Sequence, residues 1–153
     1  MSIGKFLDEM KKTLLLHAVA AHFSNGLIPV AVLYLLLSLP TGDPFYEHTV
    51  IHLMVVVLLA VPVSFVSGII DWKKKYNGAK APVFVKKIRL AIALCVLAAG
   101  ATSIRFFDPG VMGEPGLLHW AYVLMLLASL PVVVLLGHYG GKLSAGQRTE
   151  KFR

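Results

Sequence analysis

The sequence predicts an all-α integral membrane protein, a four-helix bundle with both termini on the cytoplasmic side. Three observations carry that prediction: a composition too apolar for water, four long apolar runs, and basic residues gathered at one set of run ends. Of 153 residues, 57% are hydrophobic and the mean hydropathy is +0.74. Soluble domains are ~45–50% apolar even with glycine counted. The length suits one domain, residues 1–153. A formal charge of +7 would suit a nucleic-acid partner, but the charges cluster at the ends of apolar runs, which excludes that class. The single cysteine, Cys95, excludes an internal disulfide and a multi-cysteine metal centre.

The first run, Leu14 to Leu39, has no charged residue, and neither has the second, His48 to Ile70. The third, Leu90 to Ile104, is bracketed by Arg89 and Arg105, and the fourth runs from Leu117 to Gly141. A span needs ~17–25 residues. The third run reaches that length if its two arginines snorkel outwards. Helices are therefore expected at about 14–39, 46–72, 87–106 and 117–141. A barrel would alternate with period two, and no such alternation is present. Lys11 and Lys12 before an apolar stretch, with Ala18-Val19-Ala20 after it, resemble a secretory leader. The interval between Lys12 and Ala18 falls short of the ~7–15 apolar residues a leader needs, so the segment reads as a retained first helix. Pro29, Pro62 and Pro131 lie inside three of the runs. A membrane bundle tolerates them, usually as local bends.

Orientation follows from Lys and Arg. The N-terminal tail carries Lys5, Lys11 and Lys12, and the loop at 73–87 carries Lys73, Lys74, Lys75, Lys80, Lys86 and Lys87, with Arg89 at its edge. The C-terminal tail carries Lys142, Arg148, Lys151 and Arg153, which leaves Arg105 alone on the other side. The positive-inside rule makes the basic side cytoplasmic. Trp72, Trp120, Tyr46 and Tyr139 near the run ends suit an aromatic belt. The basic segments suit contact with anionic lipid as well, although topology alone explains them.

All six histidines lie within or at the ends of the apolar runs, where ionisable residues default to a functional role. Helix direction sorts them by depth: His48, His52 and His119 towards the outer face, and His17, His22 and His138 towards the inner one. His119 and His138 are roughly 28 Å apart along a straight helix. Tilt and reach reduce this to about 20 Å, a spacing that suits two haems passing electrons across a bilayer. Histidines from facing helices are a standard way to hold b-type haem in a bundle. The expected ligand pairs are His52 with His119 outside, and His22 or His17 with His138 inside. His17 and His22 diverge by about 140° at ~100° per residue, so one of them is expected at the inner site. Gly26, Gly68, Gly100 and Gly137, one per helix, suit a flat cofactor and equally suit close helix packing. Arg105 is a candidate partner for an outer haem propionate, with Arg89, Lys142 or the Gly140-Gly141 amides inside. Asp71 beside Trp72 suits either an interfacial cap or proton delivery to a quinone.

Rival readings remain open. His48, His52 and His119 would supply three imidazoles to zinc or copper. A non-haem subunit, interaction module or transporter is a further alternative. No Ser-His-Asp arrangement, phosphate loop or HExxH motif is present. The absence of a CxxCH motif excludes covalent haem.

Three motifs resemble a bacterial family of small four-helix membrane proteins of unknown function. Its first helix has a His-Pro-x-x-x-His-Phe-Pro pattern. Here His17-Ala18-Val19-Ala20-Ala21-His22-Phe23-Ser24 keeps both histidines and Phe23, with Ala18 and Ser24 in place of the prolines. Ser67-Gly68-Ile69-Ile70-Asp71-Trp72 is similar to its Thr-Gly-Leu-Ile-Asp-Trp motif. Gly137-His138-Tyr139-Gly140-Gly141-Lys142-Leu143 is similar to its Gly-His-x-Gly-Gly-x-Leu motif. The resemblance spans about residues 14 to 146. It implies four helices and an association with haem or redox proteins, and it places His17, His22 and His138 at the inner layer. His48, His52 and His119 rest on depth and residue type alone. The combined expectation is an electron-transfer protein of the bacterial inner membrane rather than a stand-alone enzyme. It would hold haem b (two copies) through His22, His138, His52 and His119, exchange electrons with quinone or redox partners, and belong to a homo-oligomer or a larger complex.

Overall fold

The computed structural model describes residues 3–4 and 16–151, the side chains of residues 16, 75 and 144–151 excepted. The residues Lys5, Lys11, Lys12 and Arg153 and the side chains of Lys75, Arg148 and Lys151, all used above for orientation, lie outside that description, as do positions 14 and 15. The described chain is all helical, with no strand. Its four long helices are α1 (Leu16–Thr41), α2 (Pro44–Tyr76), α3 (Pro82–Phe107) and α4 (Leu117–Lys151). Each contains a stretch long and apolar enough to cross a membrane. With ~20 residues needed to span, the 33 residues of α2 reach beyond the hydrocarbon.

Local chemistry sets the helix ends. Asp43 caps α2, its carboxylate accepting the Phe45 N–H at 2.9 Å, and Pro44 follows it where a missing N–H costs nothing. At the other end Asn77 adopts left-handed φ 48° and returns its N–H to the Trp72 carbonyl, while Gly78 follows at φ +67°. Asparagine and glycine are the residues that tolerate this region. The Trp72 indole N–H donates to the Ala79 carbonyl at 2.9 Å and fastens this short turn. Pro82 opens α3 in the same way that Pro44 opens α2. The helices run unbroken through Pro29, Pro62 and Pro131. Neighbouring helices in a membrane bundle absorb the lost backbone bond.

The bundle is two hairpins. α1 packs most extensively on α2, and α3 on α4, whereas the α2–α3 and α1–α4 joins are lighter. Between them lies an apolar core that includes Ile28, Leu35, Val57, Leu94, Ala98 and Leu126. Leu33, Leu59, Val66, Val96, Leu124 and Val134 face outwards, each more than half exposed. A bilayer covers such residues at no cost. Helix association there rests on close packing rather than on water expulsion. Gly100 shows this closeness, since a Cβ on it would stand 2.9 Å from Met125 Sδ. One end of the bundle carries Lys73, Lys74, Lys80, Lys86, Lys87, Arg89 and Lys142; the other carries Asp43, Glu47, Asp108, Glu114 and Arg105. They are called the basic and acidic ends below.

Candidate functional site: two cavities on the hairpin seam

A cavity of about 470 Å³ opens at the basic end between all four helices. Its polar lining includes His17, His22, Asn25, Asp71 and Lys87. Apolar walls come from residues such as Val61, Phe65, Ile69, Ile88 and Leu94. His17 is half-buried, and its Nδ1–H donates to the Ser64 carbonyl on α2 at 2.7 Å, with the Ser64 hydroxyl 3.4 Å away. The ring is seated against the bare backbone of Gly68, where a Cβ would stand 2.9 Å from its Cε1. His22 is exposed, and its Nδ1–H donates to the Ala18 carbonyl one turn back at 2.6 Å.

Two residues bring side chains against the bare face of α4. A Cβ on Gly137 would lie 4.0 Å from the Asn25 amide nitrogen, and one on Gly140 would lie 3.9 Å from Lys87 Nζ. In the same lining, Trp72 and Tyr76 of α2 pack on Phe84 of α3, with centroids 6.0 and 4.9 Å apart.

The acidic end holds a smaller cavity of about 300 Å³, whose polar lining includes Ser38, Asp43, Glu47, His48, Arg105 and His119. Arg105 forms a two-pronged ion pair with Glu47, its Nη2 lying 2.7 Å from Oε2. His48, exposed, stands 4.0 Å from the same carboxylate. His119 is buried, and its Nδ1–H donates to the Val111 carbonyl at 3.0 Å, fastening the loop before α4.

The structure thus places the six histidines in ways that sequence depth alone does not specify. His17 and His22 line one cavity together, although only one of them was expected there, because the cavity wraps round the α1 face that lies between their directions. His138 is exposed and lines neither cavity. Gly137, Gly140 and Gly141 supply the cavity face of α4, and His138 lies ~100° round the helix from Gly137. At the acidic end His119 shares the cavity with His48, not with His52, which is exposed. Arg105, a candidate for a propionate, is engaged by Glu47. The Glu47 role was missed in the sequence; its one legible sign was a carboxylate at the edge of an apolar run. Among the described residues, no three His, Cys, Asp or Glu side chains converge as a metal site. That includes the His48, His52 and His119 set.

Four helices long and apolar enough to cross a membrane, with a cavity at each end of the bundle, define a polytopic helical membrane protein. A family model described as "Predicted membrane protein (DUF2231)" matches residues 13–151, and the chain belongs to that family. No curated protein and no solved structure matches it.

Proposed function

We propose that the chain is a redox component of the bacterial inner membrane that holds one flat redox-active molecule in the basic-end cavity, with that end facing the cytoplasm. The observation that carries this reading is the seating of His17. Its Nδ1 is committed to the Ser64 carbonyl, so the neutral ring keeps a bare Nε2. A second-shell bond of this type orients ligand histidines. The cavity of about 470 Å³ falls within the ~300–1,000 Å³ of small-molecule sites.

The sequence points to haem b as a bound cofactor and to a quinone as an electron partner, and both are candidate occupants of this cavity. The cavity would offer haem imidazoles from α1 alone, His17 and His22, with Lys87 as a cation for a propionate. A bis-histidine pair needs imidazoles from facing helices, and His138 lies outside the cavity. When bound, haem would supply one-electron chemistry. A quinone asks for no imidazoles from facing helices and needs only apolar walls and polar groups at its two ends. The geometry supports one redox site rather than two, with quinone the better fit.

The test is the absorption spectrum of protein purified in detergent, together with solvent extraction for haem and quinone. Stoichiometric recovery of either molecule is expected. Colourless protein that yields neither overturns the reading.

A further inference from the structure

Building on the redox reading above, we infer that the basic-end cavity is a site for a membrane quinol, held in its reduced form between His17 and Lys87. The two residues come from opposite hairpins and offer opposite chemistry. A carbonyl oxygen has no proton to give, so the 2.7 Å contact from His17 Nδ1 to Ser64 O places the ring proton on Nδ1. Nε2 of the neutral ring is then an acceptor. The ring lies against the bare backbone of Gly68, where a Cβ would come within 2.9 Å of it. Lys87 enters from α3 against Gly140 of α4 and can only donate. The Asp71 carboxylate lies within electrostatic reach of it. Asn25, which can do both, sits beside Gly137.

Much of the lining is apolar, including Val61, Phe65, Ile88 and Leu94, and the cavity lies on the hairpin seam of a bundle immersed in lipid. The occupant is therefore apolar and compact, with an O–H at one end and an accepting oxygen at the other. A hydroquinone ring has both. One hydroxyl donates to His17 Nε2, and the other hydroxyl oxygen accepts from the Lys87 ammonium. The oxidised quinone has only carbonyl acceptors, so one carbonyl would face the His17 lone pair with no proton between them. The site thus discriminates between two redox forms of one lipid-soluble molecule.

The test is calorimetric titration of the full chain in lipid nanodiscs with a short-chain benzoquinone, once oxidised and once chemically reduced under anaerobic conditions. Saturable binding is expected, with the quinol about tenfold tighter, the worth of roughly one hydrogen bond. His17→Leu should erase the preference. Lys87→Met should weaken both forms and leave the preference in place, and it keeps the inference testable if His17→Leu fails to fold. Equal affinities, unsaturable partitioning, or a preference that survives His17→Leu overturns the inference. Purified protein with a Soret band but no quinol binding sinks the quinol and leaves the redox reading standing. Protein with neither sinks both.

Discussion

Glu47 of α2 and Arg105 of α3 meet as a two-pronged ion pair that ties one hairpin to the other at the acidic end. Their side chains are 8% and 11% exposed, so little solvent screens them. The α2–α3 join is otherwise light. A buried pair of this kind adds little over an apolar substitute, but loss of one partner strands the other charge.

Glu47→Ala or Arg105→Met alone should therefore destabilise the bundle by roughly 3–5 kcal/mol. The double variant should cost less than the sum of the two, as expected for directly coupled residues. Unfolding of detergent-solubilised protein, followed by circular dichroism, measures all three. Additive losses would show that the two side chains act independently.

Gly68 and Gly26 offer a matched comparison. Both are helical and both suggest a flat ligand in the sequence. A Cβ on Gly68 would meet His17 at 2.9 Å, whereas one on Gly26 would meet nothing within 4 Å. Gly68→Ala should displace the imidazole, weaken its bond to Ser64 and cost about 1–3 kcal/mol through overpacking. Gly26→Ala should be neutral or slightly stabilising, since alanine is the better helix former. Comparing the melting temperatures of the two variants checks this, and equal shifts would contradict the seating of His17.

The contrast between these glycines shows how far the sequence can be read. Run length and charge position yield the four helices, because a bilayer permits few alternatives. Depth follows from the same information, which is why His17 and His22 separate from His48, His52 and His119. Azimuth does not. His138 sits at a readable depth, yet α4 turns Gly137 and Gly140 rather than His138 to the cavity. That rotation is set by the packing of α4 on α3 and α1. The Glu47–Arg105 pair joins residues far apart in the chain, and nothing local to either one names its partner.

Orientation is open to direct measurement. In a Cys95→Ser background, Lys80→Cys places a thiol in the α2–α3 turn and Glu114→Cys places one in the α3–α4 loop. An impermeant maleimide should label the Glu114→Cys variant in intact cells and the Lys80→Cys variant only after permeabilisation, as the basic-side bias requires. The reverse pattern would invert the bundle.

His119 distinguishes a structural role from a ligand role. Its Nδ1–H holds the Val111 carbonyl, and Val111 is itself buried. His119→Ala should leave that carbonyl unsatisfied and cost about 1–3 kcal/mol. It should leave the content of the basic-end cavity unchanged. Loss of about half of any bound haem would instead restore the acidic-end cofactor expected from the sequence.

Tyr122 should behave in the opposite way. Its side chain is almost wholly buried on α4, and its hydroxyl has no hydrogen-bond partner among the described residues. Burying an unpartnered hydroxyl costs about 1–3 kcal/mol by protein mutational measures. Tyr122→Phe removes that hydroxyl and keeps the ring that fills the core beside Leu126 and Met54. The expected outcome is a melting temperature equal to or above that of the parent, whereas Tyr122→Ala should lose about 3–5 kcal/mol by opening a cavity. A marked loss in Tyr122→Phe would mean that the hydroxyl is bonded in the membrane, by water or by the neighbouring Glu47–Arg105 pair.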